Sequence, residues 1–503
     1  MPVPNLKAIS SRARPYLDVW KDRSTRVGAE SKTLAKWSWH MARRSPSMLG
    51  SYAVDSCKFY IHNPGCFKNE VLSGVSIAFM QVPESVAFSF VGGVSPTQGM
   101  YSTFFIGLFG GLLTSLPGMV SGIAGAMVAI LREVTSNDGP LGDRCYAERV
   151  EYAFAVMFVC SIIQLLVGLL QLPRFIKIVP HAVMTGFMNG LSILVFKAQL
   201  SAFKVPNDTA TQQGLSEDAS CPHTDYVPQA HQRWMRLNEA LTWQVLSIVF
   251  ISMAIVKLQP MIKGRLRIGR VSISAKVIPP TLTAMLVTTL LAQLVYRLAL
   301  DRPVPTIGDL AVFTGKPPRP HIPDVPWGDG FFWSIVGRYS VLLALVGLIE
   351  SIMTWQLAQR IVQVRLPASY GAFEAISQGV GNLFASLFGS VGGSVMVGQT
   401  TINFLNGARG RLSTTLASFI ILLFVTVAGD VIQLVPISTL TGILFVVVIE
   451  TFEWRTFVYL FRLSIPLADV ITVILVTVIA VVMNLAIAVL IGVAWSSVVF
   501  AWK

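Results

Sequence analysis

Two carboxylates stand inside stretches apolar enough to lie in lipid: Glu84, directly after Pro83, and Glu350, four residues before Thr354. A carboxylate at the centre of a membrane helix costs about 2.5–3.5 kcal/mol on insertion scales, so each is expected to face a partner or a cavity. The four-residue spacing puts the Glu350 carboxylate and the Thr354 hydroxyl on one helix face. Oxygen ligands so placed suit a small hard cation, Na+ among them. A desolvated carboxylate can instead carry a proton, and a third reading makes Glu350 a structural group bonded to backbone. Glu84 shares a turn with Gln81 and Phe88; ionised it would repel an anion, protonated it would donate to one. Phe88 and Phe104 are candidate walls for such a site, or plain packing.

A second chemistry needs no charged side chain. Gly118 to Val134 and Gly389 to Arg411 are too apolar for surface loops, yet too short and glycine-broken to cross a bilayer, which takes about twenty apolar residues. The first four N–H groups of a helix lack internal acceptors, and the helix dipole makes that end partly positive. Two half-helices starting near the membrane midplane therefore point bare donors at a shared spot, where an anion fits. Gly122, Ile123, Ala124, Gly125 and Ala126 are the expected tip of one; Val395, Met396, Val397 and Gly398 that of the other. Residues this small or apolar let backbone approach a ligand closely; the competing reading is small-residue packing between membrane helices. Gln399 adds an uncharged amide donor, with the Thr400 and Thr401 hydroxyls beside it.

Elements of membrane length must position these groups. Of 503 residues, 53% are apolar and only 13% charged, about half the charged share of a soluble domain; mean hydropathy is +0.63. Full spans are predicted near 71–92, 97–116, 152–172, 180–200, 240–259, 278–299, 334–357, 375–391, 412–435, 437–450, 468–484 and 485–502, with the short pieces near 122–134 and 394–406. The fold class is thus an all-α polytopic membrane protein of 14 segments. The net charge of +13 sits in the N-terminal tail and the connections, among them Arg174, Lys177, Lys263, Arg265, Arg360, Arg365, Arg409, Arg411 and Arg455. With fourteen crossings all of these fall on the side of the N-terminus, so they read as orientation signals, with both termini cytosolic, and not as a nucleic-acid surface. Residues 1–70 form a basic cytosolic tail. The 201–239 loop, with its Asn207-Asp208-Thr209 sequon, faces outward, as do Cys145 and Cys221, which makes a disulfide between them conceivable. The five cysteines include no CxxC, and no nucleophile–base constellation or metal cluster appears, so neither an enzyme nor a structural metal site is expected.

The halves match each other. Pro180 with Thr185-Gly186 answers Pro436 with Thr441-Gly442, Glu84-Ser85 answers Glu350-Ser351, and the broken segments are the third and the tenth. Seven segments per half, an odd number, turn the second repeat (334–503) upside down relative to the first (71–299), across an extracellular connection at 300–333. Inverted repeats with paired broken helices characterise secondary transporters.

Gln81-Val82-Pro83-Glu84 with Ala87-Phe88, Pro117 to Gly125, Gly347 to Ser351, Gly398-Gln399-Thr400 and Gly407 to Ser413 together resemble the SulP (sulfate permease) family of inorganic anion transporters. That family includes sulfate permeases, a cyanobacterial bicarbonate transporter and the motor protein prestin. The resemblance runs from about Val71 to Lys503. It implies a core domain (segments 1–4 and 8–11) moving like an elevator against a gate domain (5–7 and 12–14), half-helices 3 and 10 meeting at the midplane, a homodimer, and no cofactor beyond a coupling Na+ or H+. It also implies a cytosolic STAS domain, which is expected to be missing because the chain stops at Lys503. Several members carry arginine where Gln399 stands, and many carry glutamine at Glu84; in the bicarbonate transporter an aspartate and a threonine of its sodium site match Glu350 and Thr354. The expected anion site is Gln81, Glu84, Phe88, Ala124, Gly125, Ala126, Met396, Val397, Gly398, Gln399 and Thr400, with Glu350 and Thr354 for the cation. The expected function is H+- or Na+-coupled secondary-active transport of a small oxyanion, sulfate first, by a plasma-membrane protein; the alternatives are Na+-dependent bicarbonate transport and an anion exchanger or uncoupled chloride channel.

Overall fold

The computed structural model describes residues 60–502, apart from 138, 174–179, 207–231, 237, 262–264, 269–270, 275–278, 311–312, 314, 368, 455, 457–466 and 483–484. Most of the basic tail, the sequon at Asn207, and Cys221 lie outside the described residues. Cys145 is disulfide-bonded.

Helices follow the apolar runs. They are α1 (Pro64–Gly92), α2 (Pro96–Leu113), α3 (Gly125–Thr135), α4 (Tyr146–Leu169), α5 (His181–Gln199), α6 (Ala240–Leu258), α7 (Pro280–Leu290), α8 (Gly330–Ile361), α9 (Tyr370–Leu387), α10 (Val397–Leu405), α11 (Leu412–Val427), α12 (Ile437–Thr451), α13 (Leu467–Val482) and α14 (Leu485–Trp502). Among the described residues, six helices are long and apolar enough to cross a membrane, and shorter apolar helices accompany them. The protein is therefore a polytopic helical membrane protein. Two predicted spans are less regular than expected. The 278–299 stretch is α-helical only to Leu290 and continues as a π-helix over Leu291–Ala299. The 412–435 stretch breaks at Ala428, after which Gly429–Gln433 makes a single separate turn.

The helices pack as two groups. In the first, α9 lies against α4 and α2, α11 against α1 and α2, and α8 against α4 and α3. In the second, α13 lies against α5 and α14, and α6 against α12 and α7. Pro180 and Pro436 occupy the N-cap positions of α5 and α12 with nearly the same backbone angles (φ −65°, ψ 151° and φ −65°, ψ 139°). A proline just before the first turn forfeits no helical hydrogen bond, so both helices start there without cost.

The centre of the first group holds an element that the hydropathy pattern does not contain. Ser121–Gly122 (β1) and Ser394–Val395 (β2) pair antiparallel, Ser121 opposite Val395 and Gly122 opposite Ser394. The residues just before α3 and α10 are therefore extended, and each half-helix begins about three residues later than expected. Side chains from surrounding helices consume the backbone groups of this crossing. Asn382 Oδ1 accepts from Gly393 N (2.9 Å) while its Nδ2 donates to Gly393 O (3.1 Å). Ser102 Oγ accepts from Val391 N and Gly392 N (2.9 and 3.1 Å). Gln378 Nε2 donates to Ser121 Oγ at 3.1 Å and to Glu374 at 3.2 Å, and Glu374 also accepts from Thr114 Oγ1 at 2.6 Å. Buried backbone this far from a regular helix is tolerable in a membrane protein only when so satisfied.

The closeness of the two strands dictates glycine. A Cβ on Gly393 would lie 2.0 Å from the Gly122 carbonyl oxygen, which is backbone and cannot step aside, and Gly392 has φ +69°. We expect Gly393→Ala to cost at least about 2 kcal/mol, read as a lowered thermal midpoint in detergent; an unchanged midpoint would contradict the close crossing.

Candidate functional site

Beyond the strand pair, two helices open into one space. Ala124 and Met396 sit at the N-caps of α3 and α10 in extended conformation, and neither side chain accepts a capping hydrogen bond. The first helical bonds are Val128 N to Ala124 O (3.0 Å) and Thr400 N to Met396 O (3.1 Å). The N–H groups of Gly125, Ala126 and Met127, and of Val397, Gly398 and Gln399, precede those bonds and have no intrahelical acceptor. By contrast, the expected tip residues Ile123 and Val395 donate their N–H groups to the Thr103 and Ser351 hydroxyls (both 3.3 Å), and Met396 donates to Val120 O at 2.9 Å. The scaffold uses these donors, so Gly122, Ile123 and Val395 do not form helix tips.

Both helix starts line a cavity of about 430 Å³. Of the predicted anion-site residues, Glu84, Phe88, Ala124, Gly125, Met396, Val397, Gly398 and Gln399 are in its wall. A Cβ built on Gly398 meets nothing within 4 Å, so this residue presents bare backbone to open space. Each helix start carries roughly half a positive charge. With Gln399 an uncharged amide, that partial charge is the favourable field an anion meets there.

The Gln399 amide does not point freely into the cavity: its Nε2 donates to Glu84 Oε2, which joins α10 to α1. Three predicted residues lie outside the wall. Gln81 Nε2 donates to Ser121 O at 3.0 Å and so supports β1. Thr400 Oγ1 accepts from Val120 N at 3.0 Å. Ala126 is fully buried. Phe104 likewise packs elsewhere, its ring 4.9 Å from that of Phe105 and 6.0 Å from that of Phe419.

The cation pair separates in the same way. Glu350 lines the cavity, and its Oε2 accepts from Ser394 Oγ at 2.6 Å. Thr354, though on the same helix face, donates back to Glu350 O (2.8 Å) and to Val395 O (3.3 Å) and is not in the wall. The hydroxyl brought to the carboxylate is that of Ser394, carried on β2. An oxygen pair remains available to a hard cation or a proton, drawn from a different residue than the spacing suggested.

The opposite wall comes from the second packing group: Met184, Met188, Leu191 and Val195 of α5 recur at helical spacing, with Val447 and Val448 of α12. Sequence reading missed these residues and Ser394. It also missed Glu374, Gln378 and Asn382, which hold the strand pair. Their i, i+4, i+8 spacing, a polar stripe along an apolar helix, was the available signal. Another missed group is Glu70, whose carboxylate accepts from Arg409 N and Gly410 N (both 2.6 Å) and Ser413 N (3.0 Å), capping α11 from a distance. Burial pushes the Arg409 guanidinium down to about 10, against the upward pull of the Glu70 charge.

A multi-pass helical membrane protein with an interior cavity between two helix groups, flanked by two half-length helices, has the architecture of a secondary transporter. The chain belongs to the sulfate permease family, whose model matches residues 67–465. It is 28% identical over 440 residues to YbaR, a candidate sulfate transporter of Bacillus subtilis (strain 168), covering 87% of this chain and 78% of that one. Among solved structures it resembles the transmembrane domain of a cyanobacterium bicarbonate transporter, BicA (TM-score 0.66, 20% identity, 84% of this chain and 97% of that one). It also resembles murine Solute Carrier 26 family member A9, an anion transporter in the inward-facing state (TM-score 0.68, 16% identity, 86% and 68%).

Proposed function

We propose that this protein is a secondary-active transporter of a small inorganic oxyanion, sulfate first, held between the N-termini of α3 and α10. The observation that carries this reading is the pair of uncapped helix starts opening on one cavity. The anion takes its hydrogen bonds from the N–H groups that begin at Gly125 and Val397, while Glu84 and Gln399 form one side of the site. Glu350, with Ser394, binds the coupling Na+ or H+, which neutralises a carboxylate that would otherwise repel the passing anion.

In this reading α1–α4 and α8–α11 form the core and α5–α7 and α12–α14 the gate, as two inverted seven-segment repeats over 71–299 and 334–503. The division into two packing groups and the matched proline starts of α5 and α12 support it. The core carries the anion past the apolar α5–α12 wall as an elevator, in a homodimer at the plasma membrane with both termini cytosolic. Na+-driven bicarbonate transport is the second reading, favoured by the Glu350–Ser394 oxygen pair and by the fold shared with BicA.

Uptake of labelled sulfate and bicarbonate into proteoliposomes, with Na+ and pH gradients imposed separately, tests both. Saturable uptake of one anion, raised by one gradient, is the expected result. Stimulation by neither gradient removes the coupling, and chloride current without saturable uptake favours an uncoupled channel.

A further inference from the structure

Glu350, Met353, Leu357 and Arg360 fall at i, i+3, i+7 and i+10 along α8 and line the cavity in one stripe. Ten residues at 1.5 Å each put Arg360 about 15 Å along the helix from Glu350, at the far end of the cavity from the strand pair. On the facing side, Glu450 and Glu453 stand at the end of α12 and just beyond it. Among the described residues, the charged side chains of this cavity are thus Glu84 and Glu350 within, Glu450 and Glu453 at the mouth, and one cation, Arg360. For an entering anion four of these five repel when ionised. Lys257 offsets part of that repulsion by pairing with Glu450 at 3.1 Å, though both are more than half exposed and the pair is weak. Glu453 is anchored through its backbone N–H, which donates to Asn189 Oδ1 at 2.9 Å. Arg360 is exposed, and its side chain makes no hydrogen bond or ion pair among the described residues.

We propose that Arg360 is the capture residue of the transport path: its guanidinium binds the oxyanion at the mouth and sets apparent affinity before the anion reaches the helix starts. This rests on the reading of the cavity as the anion's path. The planar fork donates two parallel N–H bonds, which match two oxygens of a sulfate or bicarbonate and find no second acceptor on a halide. Arg360 therefore favours oxyanion over chloride at entry, a discrimination that the uncharged Gln399 amide, engaged with Glu84, does not provide.

The test is exchange of labelled sulfate or bicarbonate by the purified full chain in proteoliposomes, as a function of anion concentration and ionic strength, for wild type, Arg360→Gln and Arg360→Lys. Arg360→Gln is expected to raise KM about tenfold with Vmax within about twofold, and to flatten the dependence of KM on salt. Arg360→Lys keeps the charge and loses the fork. It is expected to retain the salt dependence, with an oxyanion KM about threefold above wild type and unchanged inhibition by chloride. Should the glutamine variant not fold, the lysine variant alone decides through the ratio of oxyanion KM to chloride inhibition. Wild-type KM in both variants, or a loss of Vmax at constant KM, overturns the proposal while leaving the transport reading intact. Absence of wild-type flux overturns the transport reading itself, and this one with it.

Discussion

Replacing Gly398 by leucine is expected to abolish anion flux while leaving the fold intact. The position is the second residue of α10, its backbone is helical, and a Cβ there meets nothing within 4 Å. A leucine side chain consequently enters the cavity and not a neighbouring helix, so the usual overpacking penalty does not arise. It covers the N–H groups of the helix start and occupies the space the anion needs. Loss of binding by about 100-fold or more, equivalent to about 2.7 kcal/mol, is the expected effect, with a thermal midpoint close to wild type. Contrast with Gly393→Ala separates the two roles of glycine here: one holds backbone against backbone, the other keeps space open. Gly398→Leu that transports normally would place the anion path away from α10.

Glu350→Gln is expected to uncouple transport without stopping it. The carboxylate faces the cavity and accepts from Ser394 Oγ at 2.6 Å; an amide oxygen can accept the same bond, so the anchoring of β2 survives. What is lost is the negative charge that a cation neutralises, or the site that a proton occupies. Equilibrium exchange of labelled anion should persist, whereas accumulation driven by a Na+ or pH gradient should fall to the level seen without a gradient. Gradient-driven accumulation that persists in Glu350→Gln would return this residue to a structural role, holding β2 through Ser394. A parallel Ser394→Ala variant should weaken coupling more than Thr354→Ala, because the Thr354 hydroxyl bonds only backbone oxygens (Glu350 O and Val395 O).

What the sequence carried well was anything written in hydropathy or in paired punctuation. Apolar runs of membrane length placed the long helices, α1 and α8 among them, because burial in lipid demands continuous apolar residues and internally satisfied backbone. The paired glycine-rich interruptions located α3 and α10, and the paired prolines located the starts of α5 and α12. The starts of the half-helices were misplaced by about three residues for a physical reason. Ser121–Gly122 and Ser394–Val395 are too short to show a strand's alternation, and their partners lie some 270 residues apart in the chain. Side-chain roles shifted by the same mechanism. Helical spacing correctly put Thr354 on the face of Glu350, but a hydroxyl one turn along donates to the carbonyl four residues back. The donor that meets the carboxylate comes from β2, which spacing within one helix cannot reveal. Gln81 is expected in the site because it shares a turn with Glu84, and Thr400 because of its hydroxyl; both spend their polar groups on backbone in or next to the strand pair. Arg360 was read only as an orientation charge, since its place in the cavity wall depends on where α12 ends.

The central claim, an anion seated between two uncapped helix starts, is most directly tested by anomalous diffraction from crystals soaked in selenate, the heavier analogue of sulfate, at concentrations the protein transports. The expected result is a single strong selenium peak within about 3–4 Å of the N–H groups of Gly125 to Met127 and Val397 to Gln399, as anion hydrogen bonding requires, diminished in Gly398→Leu. A peak elsewhere in the cavity, or none at this position in a protein that transports selenate, would contradict it.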